Sequence, residues 1–186
     1  MKIETKRLSL EDYTVDDFQY FWLLKSSIKV WRYSTFIPYK NKEQAIDDFK
    51  KILDSLNGNP YQFAALRTKE DNRFIGEAGI ISLNQQANRC VIGYNLLPDY
   101  WNMGFATEIT KSLISYAFKN LGVERVEALA LSSNLASRKV LHKSGFFLEG
   151  LLRHFAKIND EYFDVYYYSV ISSDFYSPSF NKAVCD

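Results

Sequence analysis

The stretch Val91 to Phe118, VIGYNLLPDYWNMGFATEITKSLISYAF, most restricts what this chain can fold into. A compact apolar run leads through a Pro-containing turn into a loop with one glycine. Beyond the loop, Ala106, Ile109, Thr110, Leu113, Ile114, Ala117 and Phe118 recur at the three-and-four spacing of a helix face. The loop Trp101-Asn102-Met103-Gly104-Phe105-Ala106 therefore sits at a helix N-terminus. The first backbone N–H groups of a helix lack internal partners and the macrodipole adds partial positive charge, so phosphate is the natural ligand of such a place. Gly104 permits close backbone approach, and the small Ala106 leaves the first turn uncovered. An ordinary strand-to-helix turn has the same pattern, and the loop alone leaves both readings open.

The flanking segments supply a sheet for this helix. Lys6 to Glu11 alternates as a first strand, with Leu8 and Leu10 on one face. Thr14 caps a helix whose stripe is Val15, Phe18, Phe21, Trp22 and Lys25, ending near Ser26, and Val30-Trp31-Arg32-Tyr33 continues irregularly to Pro38. That aromatic stretch either lines a cleft or covers a sheet edge. Asn41 caps a second helix carrying Ala45, Ile46, Phe49, Ile52, Leu53 and Leu56, which Asn57-Gly58 ends. From Tyr61 the pattern predicts a meander of Gln62 to Thr68, Arg73 to Leu83 and Arg89 to Leu96.

After the central helix, Gly122 marks a C-cap and Val123 to Leu131 a strand. A helix between two strands implies a parallel, right-handed crossover. Asn134 to Ser144 is a short helix, and Phe146 to Ile158 and Tyr162 to Ser172 flank a turn at Asn159-Asp160. The expected fold is α/β in the α+β sense: a mixed, mostly antiparallel central sheet with a parallel pair and flanking helices. Ligands of open sheets collect beyond strand carboxyl ends where the topology changes, which here is the end of Arg89–Leu96 beside the glycine loop.

Composition closes several routes. With 186 residues the chain suits a single domain over 1–186, with 173–186 read as a frayed tail. Lys and Arg total 23 against 22 Asp and Glu, so a net charge of +1 provides no field suited to nucleic acid or a membrane surface. Cys90 and Cys185 lack the spacing of a metal site or disulfide framework, and a reducing cytoplasm is the expected compartment. Neither a signal-like N-terminus nor a span-length apolar run occurs in the sequence.

Three blocks then resemble the GNAT superfamily of acyl-CoA-dependent N-acyltransferases, specifically its ribosomal-protein N-terminal acetyltransferase (RimJ/RimL-like) branch. They are IGYNLLPDYWNMGFATE at Ile92 to Glu108, Asn134 to Phe146 with Ser137, Lys143 and Gly145, and Leu148-Glu149-Gly150-Leu-Leu-Arg153 followed by the Asn159-Asp160 hairpin. With the opening Thr5-Lys6-Arg7-Leu8 they extend over about residues 5 to 172.

The resemblance implies an acetyl-CoA-dependent N-acetyltransferase acting on a primary amine, with acetyl-CoA as acyl donor, no metal, and a monomer or homodimer. The amine is that of a protein N-terminus or a small molecule; a non-catalytic acyl-CoA-binding module is the rival from another class. Two neighbouring parallel strands would splay apart, with pantetheine amides pairing to backbone near Asn95, Leu96 and Leu97. Amides of Asn102, Met103, Gly104, Phe105, Ala106 and Thr107 would hold the pyrophosphate, and Asn134 and Ser137 would face the pantetheine arm and thioester sulfur. A plain helix cap is the other reading of Asn134.

Where many relatives carry a Tyr as acid for the leaving thiolate this chain has Leu141, and Ser137 is the substitute expected here. Asn102 stands where a further glycine is common, which would restrict the turn. The N–H of Leu96 is the expected oxyanion donor. Candidate bases are Glu77 and His154, since positions where relatives carry carboxylates read Arg89-Cys90-Val91 and Phe155-Ala156-Lys157. Cys90 reads as a buried strand residue, Glu149 as structural, and Asp99 and Glu108 as serving the turn and helix start. The acidic pair Asp47-Asp48 reads as a solvated face rather than a polyamine site.

Overall fold

A computed structural model describes residues 1–55, 62–178 and 180. Leu56, the Asn57-Gly58 stop, Tyr61 and Cys185 lie outside the described residues. The strands are β1 Ile3–Glu4, β2 Leu8–Glu11, β3 Phe63–Thr68, β4 Phe74–Asn84, β5 Arg89–Leu96, β6 Arg125–Leu131, β7 Phe147–Ile158 and β8 Glu161–Ile171. The helices are α1 Phe18–Lys25, α2 Ile28–Trp31, α3 Lys42–Ser55, α4 Phe105–Tyr116, α5 Leu135–Lys143 and α6 Ser172–Phe175.

One sheet orders the strands β1-β2-β3-β4-β5-β6-β8-β7. Its neighbours pair antiparallel except β5 and β6, which run parallel with Arg89, Cys90 and Val91 opposite Arg125, Val126 and Glu127. The α4 crossover is what makes this pair parallel, as the helix between two strands requires.

Periodicity explains how the helices seat. On α4, Ile109, Thr110, Leu113 and Ile114 are buried, and the three aliphatic residues join Leu66, Ile80, Ile92, Val126 and Leu141 in the main core. Each such aliphatic side chain contributes roughly 1.5–3 kcal/mol by leaving water. A π-type turn, Ala117–Leu121, extends α4, and Gly122 closes it in the left-handed region at φ 64°. Tyr13, Phe21, Leu24, Ala45, Phe49 and Phe74 form a second cluster that seats α1 and α3.

Several details depart from the sequence reading. The strand expected over Lys6 to Glu11 begins only at Leu8, and an unexpected strand, Ile3–Glu4, pairs back on it with Ile3 opposite Leu10. Val15 is exposed in a 3-10 turn, Val15–Asp17, while Leu24 takes a buried place in α1. The segment after Ser27 is a helical turn whose Trp31 indole N–H donates to Leu24 O at 2.8 Å. Where a frayed tail was expected, Ser172–Phe175 is helical and the Phe175 ring stacks on Phe118 at 4.8 Å.

β4 and β5 are pressed together behind the parallel pair. A Cβ built on Gly76 would lie 2.1 Å from Asn95 O, so any larger residue must push these strands apart. Gly76→Ala is expected to cost about 2–3 kcal/mol. Urea unfolding should show a lower midpoint with an unchanged slope.

Candidate functional site

The site begins where β5 and β6 stop pairing. Their register ends at Val91 opposite Glu127. Glu127 is buried and held by Arg89 of β5 at 2.6 Å and Arg125 at 2.9 Å. This ion pair ties the strands immediately below the fork. Past it, Ile92–Asn95 and Ala128–Leu131 part around a cavity of about 380 Å³.

Backbone polar groups show which positions face this opening. Leu97 N–H donates to Ile75 O at 2.9 Å and Leu97 O accepts from Tyr100 N–H at 3.0 Å, so the Leu97 amides are spent. This corrects its expected place among the ligand-pairing groups. The alternation of an antiparallel ladder then turns the Leu96 N–H to the other side of β5, away from β4. The carbonyl of Leu96 accepts from the Trp101 indole N–H at 2.8 Å, which fixes the start of the glycine loop against the strand. Asn95 lines the cavity, and its side-chain amide donates to Glu77 Oε1 at 2.8 Å.

The loop reaches α4 through two left-handed residues, Asn102 at φ 62° and Gly104 at φ 79°. Asn tolerates that region, so the expected restriction at Asn102 is absorbed without a second glycine. Gly104 O accepts the Glu108 N–H at 3.0 Å. The N–H groups of Phe105, Ala106 and Thr107 open the first helical turn, the positions that lack intrahelical partners.

Glu108 anchors this turn. Its carboxylate accepts from Thr5 Oγ1 at 2.5 Å, Arg7 N–H at 2.8 Å and Arg7 Nε at 2.6 Å. Burial pushes the Glu108 carboxyl up, but the hydrogen bonds from Thr5 and Arg7 outweigh it and hold the group below its usual range. Arg7 also donates to Met103 O at 3.0 Å and lies 4.5 Å from the Phe105 ring centroid. A guanidinium thus stands beside the loop, an element that reading the loop by itself does not supply.

On the opposite wall, Asn134 Oδ1 caps α5 by accepting the Ser137 N–H at 3.1 Å, and both residues line the cavity. The cap and a cavity-facing position are therefore combined. The Ser137 hydroxyl accepts from Tyr94 Oη at 3.1 Å. Tyr94 was missed as a site residue, although a phenol between Ile92 and Leu96 on the apolar face of a strand has to find a polar partner.

The expected bases fare differently. Glu77 is 0% exposed, and its carboxylate accepts from Lys25 Nζ at 2.7 Å, Tyr13 Oη at 3.0 Å and Asn95 Nδ2 at 2.8 Å. It is engaged with a resident cation and is not a free base, which corrects that expectation. Lys25 itself lines the cavity, its ammonium 4.5 Å from the Trp31 ring and 5.1 Å from that of Phe36. His154 is exposed on β7, held by its N–H to Asp164 Oδ1 at 2.8 Å and stacked on Tyr162; it does not line the cavity. Cys90 is fully buried, and burial pushes its thiol up to about 12, the opposite of an activated nucleophile. Glu149 sits at a bulge of β7, accepting from the Ser169 hydroxyl and from Arg125.

One group in the lining has no protein partner. Thr110 Oγ1 is buried and unbonded, and Thr110 contributes to the cavity wall. A buried hydroxyl without a partner costs about 1–3 kcal/mol. Thr110 is itself fully buried, so this orphan is a cost inside the wall and not a contact point for a ligand. A ligand with amide groups, such as the pantetheine arm of coenzyme A, fits a wall with a free first helical turn and a strand whose pairing has ended.

Comparison with known proteins gives the family and the fold. The profile of the Acetyltransferase (GNAT) domain family matches residues 7–147. The uncharacterized N-acetyltransferase p20 of Bacillus licheniformis is 33% identical over 172 residues, covering 92% of this chain and 96% of its own. A GNAT-family acetyltransferase from Bacillus anthracis superposes with a TM-score of 0.82 at 21% identity, over 93% of this chain and 99% of that one. Spermidine N-acetyltransferase from Vibrio cholerae, solved with CoA and spermine, gives 0.79 at 19% identity over 89% and 96%. At these identities the two structures show the fold.

Thr110→Val tests the orphan hydroxyl as a buried cost. Because Thr110 is fully buried, the change should leave the free protein at least as stable and should alter affinity for CoA less than about twofold. Calorimetric titration with CoA beside urea unfolding reads both effects.

Proposed function

The chain belongs to the acetyltransferase (GNAT) domain family and is an acetyl-CoA-dependent N-acetyltransferase, and from this premise we propose that its acceptor is a primary amine, the α-amine of a protein N-terminus, which attacks the thioester directly. Acetyl-CoA supplies an activated acyl group when bound. The first-turn amides of Phe105, Ala106 and Thr107 hold its pyrophosphate, with Arg7 beside them. The Leu96 N–H, turned away from β4, supports the thioester oxygen as charge develops there. Ser137 donates its hydrogen toward the departing sulfur.

The choice of amine rests on Glu77. With that carboxylate engaged by Lys25, Tyr13 and Asn95, the amine has to reach the cavity already neutral, having lost its proton to solvent. An α-amine, with a pKa of about 7.7–8.0, is substantially neutral under mildly basic conditions, whereas an alkylammonium near 10.4 is not. The pair Asp47-Asp48 gives no support to a polyamine site, because Asp48 accepts from Tyr39 Oη at 2.7 Å and Lys51 Nζ at 2.8 Å and neither lines the cavity. A small apolar amine is the second reading, favoured by the rings of Trp31, Phe36 and Phe63 along the same wall.

The test is acetyl-CoA turnover, followed by thiol release, against peptides with free N-termini, apolar arylalkyl amines and spermidine. Peptide α-amines should be preferred, and their kcat/KM should rise with pH and level off at the pKa of the amine supplied rather than at one fixed value. A plateau independent of the amine means that an enzyme group takes the proton; release with no amine at all would remove the reading.

A further inference from the structure

We propose that Tyr94 is a positioning residue that aims and strengthens the Ser137 hydroxyl as hydrogen-bond donor to the sulfur of the acyl donor. The inference rests on the reading of Ser137 above and goes beyond it, because a hydroxyl in a cavity wall has no direction of its own.

A serine hydroxyl has one hydrogen and two acceptor positions, and it rotates to suit its surroundings. Tyr94 removes that freedom. Its Oη lies 3.1 Å from Ser137 Oγ, and the phenol is the donor in this pair. Burial pushes the phenol up to about 12, outweighing the pull that Ser137 would exert by donating to a phenolate, so the phenol keeps its hydrogen across the working range and stays available as the donor. With one acceptor position of Ser137 taken, its own hydrogen is left to point elsewhere. On the backbone side, Ser137 N–H is already bound to Asn134 Oδ1 at 3.1 Å, which fixes the first turn of α5. The open direction is the cavity that Tyr94, Asn134 and Ser137 all line.

The same bond changes the strength of the donor as well as its aim. A hydroxyl that accepts a hydrogen bond is polarised and donates a better one, and this cooperative gain is larger in a low-dielectric wall than in water. Tyr94 can act this way only because it lies past the fork. Val91 is the last residue of β5 in register with β6, and beyond it the strand no longer has a neighbour to close the space between Tyr94 and α5. Leu141, buried from the same helix, carries no hydroxyl that could take over the task. No proton leaves Tyr94 in this account: the thiolate is stabilised by the Ser137 hydrogen, and Tyr94 holds that hydrogen in place.

The test uses the full chain with Tyr94→Phe, which keeps the ring and removes the hydroxyl, beside Ser137→Ala and the double variant. Under basic conditions where the CoA thiol ionises, the wild-type protein should bind CoA about fivefold or more tightly relative to desulfo-CoA. Tyr94→Phe and Ser137→Ala should each abolish that preference, with affinity for desulfo-CoA unchanged. In turnover, Tyr94→Phe should lower kcat about tenfold with KM for acetyl-CoA unchanged, and the double variant should be no slower than Ser137→Ala alone. Retention of the sulfur preference in Tyr94→Phe, or losses that multiply in the double variant, would overturn the inference. The binding ratio needs no amine, so failure of every amine to react counts against the proposed function while this ratio still decides the role of Tyr94.

Discussion

The parallel contact between β5 and β6, and its ending at Val91 and Glu127, is the constraint on which the site depends. The sequence places α4 between these strands, so they run parallel and their carboxyl ends, together with the N-termini of α4 and α5, open on one side. The buried Glu127 carboxylate, clasped by Arg89 and Arg125, ties the strands at the last paired position. Past that tie the strands part, and the backbone of β5 and the side chains of Tyr94 and Asn95 face a space instead of a neighbour. A ligand with amides along its length and phosphates at its end answers all of these unpaired groups at once.

Behind the fork, a second polar assembly decides what the site cannot do by itself. Lys25, Tyr13 and Asn95 converge on Glu77 inside an aromatic surround. Removing one partner of a buried ion pair of this kind costs about 3–5 kcal/mol, because a charge is left without compensation. The Glu77 carboxylate is thus committed to holding α1 against the sheet. Under the proposed function, deprotonation therefore falls to solvent and selectivity to the amine's own pKa.

Much of this was legible in sequence, for reasons that can be stated. Alternation bounds Arg89–Leu96 as a strand, three-and-four spacing sets α4 on the sheet, and Gly104 marks the left-handed step into the helix. Asn41 and Asn134 both act as the caps their positions suggest. The errors have a common cause. Ile3–Glu4 is too short for alternation to be visible, and it becomes a strand only because Leu8–Glu11 folds back on it. Glu77 looks like a free acid until Lys25, 52 residues earlier, is placed beside it. Glu108 was read as serving its own helix, but it also binds the chain start at Thr5 and Arg7. Side-chain partners brought together by the fold leave no periodic trace. Tyr94 alone carried a signal that could have been used, a polar tip on an apolar strand face.

The central claim is that the end of β5 and the first turn of α4 together hold coenzyme A. Amide hydrogen exchange of the full chain, with and without saturating CoA, tests it most directly. Exchange should slow at Leu96 and at Phe105, Ala106 and Thr107, and should not change at Leu97, whose N–H is already donated to Ile75 O. Binding of CoA that leaves the exchange of Leu96 and of the α4 first turn unaltered would contradict it.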